Sequence, residues 1–237
     1  MNYQVFKSED RGGANHGWLN TKHSYSFANF YNPKRVQFGA LRVLNDDIVT
    51  GGMGFGKHPH DNMEIISLPT KGQLRHEDSM GNGSVITNSD IQVMSAGTGV
   101  VHAEMNASET ESTEFFQIWI FPRERNVEPR YQQLSINDFR KENELYQILS
   151  PNQEDQGVWI HQDAWMFQGE YSETTKETYT LHKENQGVVL FVIEGNVQFD
   201  GIMLNRRDAV EISDVNQFEF EAEKDSKILL IEVPLNF

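Results

Sequence analysis

Residues 51–64 read GGMGFGKHPHDNME, and residues 95–106 read SAGTGVVHAEMN. His58 and His60 are two positions apart, and so are His102 and Glu104. In a strand, side chains i and i+2 leave the same face, so each pair presents two ligand atoms from one side of a sheet. Two such pairs on facing strands bring three imidazoles and one carboxylate to a point. That donor set suits a first-row transition metal. A helix would need spacings of three or four instead. Pro59, between the first two histidines, fits an edge strand or an irregular strand start rather than a helix interior. Gly51, Gly52, Gly54 and Gly56 precede the first pair and Gly97 and Gly99 the second, letting the backbone bend close to an ion.

Outward from these stretches the chain reads as short strands separated by turns. GALRVLN predicts a strand ending at an Asn45-Asp46 turn, and MEIISL predicts another. Lys71-Gly72 turns into QLRHED, and the Asn-Gly of MGNG signals a hairpin. SVIT, DIQVMS, VVHAEMN and FFQIWIF complete the run, and SYSFANFY alternates as a wall strand would. Many short strands with almost no helical periodicity predict an all-β barrel or sandwich.

Residues 122–160 carry Pro122, Pro129 and Pro151 and read as a connector, with SINDFRKEN a helical turn or two. From Val158 the strand pattern returns. Gly195 in IEGNVQF echoes Gly72 in TKGQLRH, and Asp208 in NRRDAVEIS echoes Asp90 in TNSDIQVMS. The offsets, 195 − 72 = 123 and 208 − 90 = 118, are similar. This internal repeat predicts a second barrel of the same kind. Its ligand positions are gone, since Phe220 stands where the repeat would place His102. His182, the lone histidine near the place of the HxH pair, reads as structural. Two tandem domains are expected: 1–125 binding metal, and 126–237 without ligands.

Other positions are assigned by face. Phe115, Gln117 and Trp119 share one side of their strand; Phe116, Ile118 and Ile120 share the other. One side is core, and the other can line a cavity with Gln117 as its polar group. His76 shares a side with Leu74 and Asp78 and is expected to point outward, with a place beside the site as the alternative. His16 and His23 lack paired spacing and are expected at the surface or in ordinary hydrogen bonds.

The formal charge of −15 disfavours direct contact with nucleic-acid phosphates. The absence of cysteine excludes disulfides, thiolate catalysis and Fe–S clusters. No run approaches the ~18 apolar residues of a membrane span, and the N-terminus shows no signal peptide. A monomeric cytoplasmic protein is expected.

The same residues carry a family resemblance. G-x5-HxH-x3-E, filled by Gly52, His58, His60 and Glu64, resembles the first cupin motif. G-x2-H-x3-N, filled by Gly99, His102 and Asn106, resembles the second. FGKHPHDNMEI, HEDSMGN and SAGTGVVHAEMN are similar to the pirin branch, and NHGWLNTKHSYSFANFY to its bacterial, quercetinase-like members. The resemblance implies two tandem cupin (jelly-roll) barrels. It also implies one divalent ion, iron(II) first, with copper, nickel, manganese, cobalt or zinc as alternatives. His58, His60 and His102 would be ligands. The fourth is Glu104 in pirins and Glu64 in many other cupins; both are present, and Glu104 is favoured. Ser95 replaces a proline that many cupins carry, read as a turn variation without consequence for the metal. The implied activity is quercetin 2,3-dioxygenation, in which a flavonol and O2 give a depside and carbon monoxide. Glu104 is the implied base, and Phe55 would stack on the substrate at the pocket mouth. The alternative implied by other pirins is a metal-dependent regulatory protein with a protein partner.

Overall fold

The computed structural model describes residues 1–237. Two compact units emerge, and each draws on separated parts of the chain. One comprises residues 12–138 and 158–162; the other comprises 1–11, 139–157 and 163–237. The N-terminal strand Asn2–Phe6 therefore belongs with the second unit, where it pairs antiparallel with Ala209–Ser213.

The first unit is built from two antiparallel sheets. The larger runs, in spatial order, Arg130–Ser135, Asp90–Ser95, Glu64–Lys71, Thr113–Ile120, Leu41–Val49, Leu19–His23 and Gly12–Asn15. The smaller runs Gly54–His60, Val100–Asn106, Gln73–Asp78 and Gly83–Thr87. Leu19, Val49 and Phe115 from the larger sheet pack on Leu74 and Ile86 from the smaller, closing the barrel at one end. The hairpin read at MGNG is present, joining Gln73–Asp78 to Gly83–Thr87. Gly72 turns the chain with φ of +72°, in the left-handed region that favours glycine.

The HxH strand lies at the edge of the smaller sheet. Its partner is not across the barrel but beside it: His58 pairs with His102, Pro59 with Val101 and His60 with Val100. The two ligand pairs are thus neighbours in one sheet rather than on facing strands. Val101 uses both its backbone groups toward the opposite neighbour, bonding Ser79 Oγ through its N–H and the Ser79 N–H through its carbonyl. Pro59 consequently sits at a non-hydrogen-bonded pair, and its missing N–H falls on the open side of the edge, where no ladder bond is lost.

Two local expectations are corrected, and a third is met at its lower bound. Leu41–Val49 runs through Asn45-Asp46 without a turn, because strand pairing on both sides satisfies its backbone and overrides the turn tendency of Asn-Asp. SYSFANFY is not a strand but a tight loop closed by Phe27–Phe30 bridging. SINDFRKEN supplies only one 3-10 turn, Ile136–Asp138.

The second unit repeats the plan. Its larger sheet contains Asn2–Phe6, Ala209–Ser213, Gln186–Glu194, Ser226–Pro234, Trp165–Tyr171 and Leu145–Ser150 in that order. Its smaller sheet runs Thr175–Thr180, Gln217–Ala222, Val197–Phe199 and Ile202–Leu204. The repeat read in the sequence has physical content. Gly195 turns with φ of +75°, close to Gly72. Asp90 accepts from the backbone N–H of Thr87, and Asp208 from that of Asn205, each closing a turn three residues back. Phe220 is buried among Phe199, Phe218, Tyr179, Val188 and Leu190, so apolar side chains fill the space where the first barrel carries imidazoles.

Candidate metal centre and cavity

Pairing His58 with His102 brings the imidazoles of the two strands together in tilted and edge-on contact. The ring centroids of His58 and His102 are 4.4 Å apart, and His60 lies 4.9 Å from each. One nitrogen from each of the three lies within 4.8 Å of the others. The His58 Nδ1–H donates to the Gly56 carbonyl at 2.7 Å, which leaves Nε2 with its lone pair. His102 is 1% exposed, and neither of its ring nitrogens has a hydrogen-bond partner. Burial, with the neighbouring imidazoles, pulls His60 down to about 4 and His102 down to about 3. Both rings are therefore neutral at pH 7, the form that can donate to a metal.

Glu104 follows His102 after a register shift in the strand. It is fully buried and held at both oxygens. Ser67 Oγ donates to Oε1 at 2.8 Å, and Gln117 Nε2 donates to Oε2 at 2.6 Å. Burial raises its pKa against the pull of these donors and of the nearby imidazoles.

Glu64 takes a different place. It lies three residues before Ser67 on the same strand, hence on the opposite face. Ser95 Oγ donates to its Oε2 at 2.6 Å, and Arg130 is its charged neighbour. Burial pushes Glu64 up to about 7. Ser95 thus makes a structural bond that a proline there could not make.

His76 takes the alternative place, beside the site. It is not directed outward: it is wholly buried, and its Nδ1 has no hydrogen-bond partner. Its Nε2–H donates to Asp78 Oδ2 at 3.1 Å, and Asp78 is itself fixed by the N–H groups of Met80 and Asn82. His76, His102 and Glu104 form a second trio of potential ligand atoms within 4.8 Å. The signal was in the strand pattern: His76 shares a side with Leu74, and an apolar residue marks the inward side.

A cavity of about 630 Å³ opens beside this cluster. His58, His60, Glu104, Gln117, Trp119 and Phe55 all line it. Trp119 packs edge-on against His60 at 4.9 Å and against Phe27 at 5.3 Å. Phe55 meets Trp18 edge-on at 5.3 Å. Phe115, the third residue of that strand face, is packed into the apolar cluster instead. His16 and His23 also line the cavity, and His23 is buried against Phe27, so the surface reading of His23 fails. Trp18 and Phe27 lie in the loop-rich N-terminal segment, which has too little periodicity to assign an inward face.

In the second unit His182 is not a lone residue. Its Nδ1 lies 2.8 Å from Glu232 Oε2, which also accepts from Tyr179 OH at 2.6 Å, and its ring stacks on Trp165 at 4.4 Å.

Residues 5–120 match the family described as Pirin, and residues 147–233 match the quercetinase C-terminal cupin domain. A quercetin 2,3-dioxygenase of Escherichia coli K12 is 39% identical over 228 residues, covering 96% of this chain and 97% of that protein. The chain belongs to the pirin family. Other pirins agree with this placement. A pirin-like protein of Caulobacter vibrioides is 36% identical, covering 93% of this chain and 95% of that one. The solved structure of the bacterial pirin YhhW from Escherichia coli, in complex with nickel(II), superposes with a TM-score of 0.92 at 36% identity. That match covers 98% of this chain and 99% of YhhW. The architecture is thus the pirin one, with two cupin domains in one chain. No helix is long and apolar enough to cross a membrane.

The two depressed histidines make the metal-free fold acid-sensitive. Their folded values lie below the ordinary 6.5. Their contribution to stability is complete above pH 6.5 and is lost as pH falls toward 4 and then 3. The buried carboxyls of Asp47 and Glu64, raised to about 7, work in the opposite sense over the same window, so the histidine share is read as a difference: metal-free His60→Gln is expected to lose less melting temperature than the wild type between pH 7 and 4.5 in circular dichroism melts.

Proposed function

We propose that this pirin is a metal-dependent dioxygenase that cleaves flavonols such as quercetin with O2 and releases carbon monoxide. The observation that carries the reading is the position of His102 and Glu104: a buried, neutral imidazole with both nitrogens unpartnered, beside a buried carboxylate at the wall of an aromatic cavity. Unpartnered buried nitrogens of this kind fit a metal, because no other group satisfies them. His58, His60, His102 and Glu104 would hold the ion, iron(II) or nickel(II) being the first ions to test. When bound, it supplies Lewis-acid attraction for an enolic oxygen and an electron path to O2.

The chain's own residues supply the rest. The cavity volume falls within the roughly 300–1,000 Å³ of small-molecule sites. Phe27, Phe55, Trp18 and Trp119 offer flat apolar surface for a planar ligand and displace water from around it. Glu104, its proton affinity raised by burial, takes the proton of the flavonol hydroxyl at a carboxylate oxygen. Gln117 and Ser67 hold that carboxylate in one orientation before the proton arrives.

Protein reconstituted with iron(II) or nickel(II) is expected to release carbon monoxide from quercetin in air, and metal-free protein is not. The gas is measured by headspace chromatography alongside O2 consumption. No carbon monoxide with any divalent first-row ion would leave the regulatory reading, in which the metal serves a docking surface.

A further inference from the structure

The correction at Asn45-Asp46 places two polar side chains inside the cavity. Asn45 and Asp47 alternate onto the cavity face of Leu41–Val49 and both line it. They are 2% and 4% exposed. Asn45 Oδ1 and Asp47 Oδ1 have no hydrogen-bond partner. In register, Asn45 stands opposite Gln117, the residue that holds Glu104, and Asp47 stands opposite Phe115 on one side and Thr21 on the other. The cavity thus has two polar regions on an aromatic lining: the His/Glu cluster on the smaller sheet, and an acceptor pair on the larger, next to the Gln117 that bonds Glu104.

A buried acid that serves only the fold has its oxygens used within the fold. Asp47 lines the cavity yet keeps Oδ1 without a partner, an arrangement that a ligand hydroxyl completes. We propose that Asn45 and Asp47 form a hydroxyl-recognising subsite, which takes a phenolic hydroxyl of an aromatic ligand while another oxygen of that ligand meets the His/Glu cluster. The inference rests on the reading that the cavity takes a flavonol, and it names the feature by which the cavity selects among flavonols. Burial pushes Asp47 up to about 7, so near neutral pH it can both donate and accept. A site built to bond a hydroxyl discriminates against the analogue that lacks it, because its own polar groups are left unpaired.

The test compares quercetin with 3-hydroxyflavone, which keeps the 3-hydroxyl and lacks the others. Binding to the metal-loaded full chain is titrated without O2 by quenching of tryptophan fluorescence. The wild type is expected to prefer quercetin by about tenfold or more. Asp47→Ala and Asn45→Ala should each cut this preference to below about threefold by weakening quercetin alone, with bound metal and 3-hydroxyflavone affinity unchanged. Asp47→Asn, which keeps a donor and an acceptor, should retain most of the preference. Equal weakening of both ligands, an unchanged preference in both alanine variants, or no preference in the wild type overturns the subsite. If the preference behaves as expected but no carbon monoxide forms, the dioxygenase reading falls and the subsite stands. If neither flavonol binds, the ligand class is wrong and both fall.

Discussion

His102→Ala protein is expected to retain less than about a tenth of the wild-type metal after purification without chelators, with its circular dichroism spectrum unchanged. His102 is the member common to both trios of potential ligand atoms, so its loss leaves neither intact. Losing a group that merely orients a ligand typically lowers metal affinity about 10–100-fold, and losing a ligand itself lowers it further. The fold should persist, because the alanine leaves room beside an existing cavity and removes two unpartnered polar atoms from the interior. Elemental analysis gives the answer directly. Full occupancy in this variant would falsify the assignment of the metal to this cluster.

The second large effect separates the two glutamates. Glu104→Gln is expected to lower quercetin turnover at least about a hundredfold, the lower range for loss of a general base. Flavonol affinity should fall far less, because the aromatic lining is untouched. Glu64→Gln should keep both metal and turnover. Its carboxylate bonds Ser95 on the face of the strand turned away from Ser67 and Glu104. Metal content measured beside turnover tells a lost base from a lost ligand: metal retained with turnover gone marks a base, and both lost together marks a ligand. If Glu64→Gln alone lost metal, the role given to Glu104 would have to be abandoned.

Much of this architecture is readable in the residues, and the failures have a common cause. The i, i+2 pairs, the glycine turns at Gly72 and Gly195 and the aspartate-closed turns at Asp90 and Asp208 are local features, set by short-range geometry. What escaped was set by partners distant in sequence. Asn45-Asp46 reads as a turn until strands on both sides claim its backbone. His76 reads as outward until Asp78 and His102 are placed on either side of it. The N-terminal segment gives no period to read, yet its Trp18, His23 and Phe27 form a large part of the cavity wall. Ligand pairs were expected on facing strands, whereas the register sets them side by side in one sheet. Both arrangements satisfy the spacing, and only strand order distinguishes them.

Pro59 has a consequence for behaviour in a crowded solution. The HxH strand is an open edge, and an open edge offers its free donors and acceptors to any passing extended chain. Near the end of this one, between the two histidines, the position that would hold out an N–H carries a proline ring instead. A second strand laid alongside would lose a bond there and meet the ring in its path. The mouth of the cavity can thus stay uncovered for small molecules without becoming a seed for fibre growth. The residue that separates the two histidines also guards the edge on which they sit.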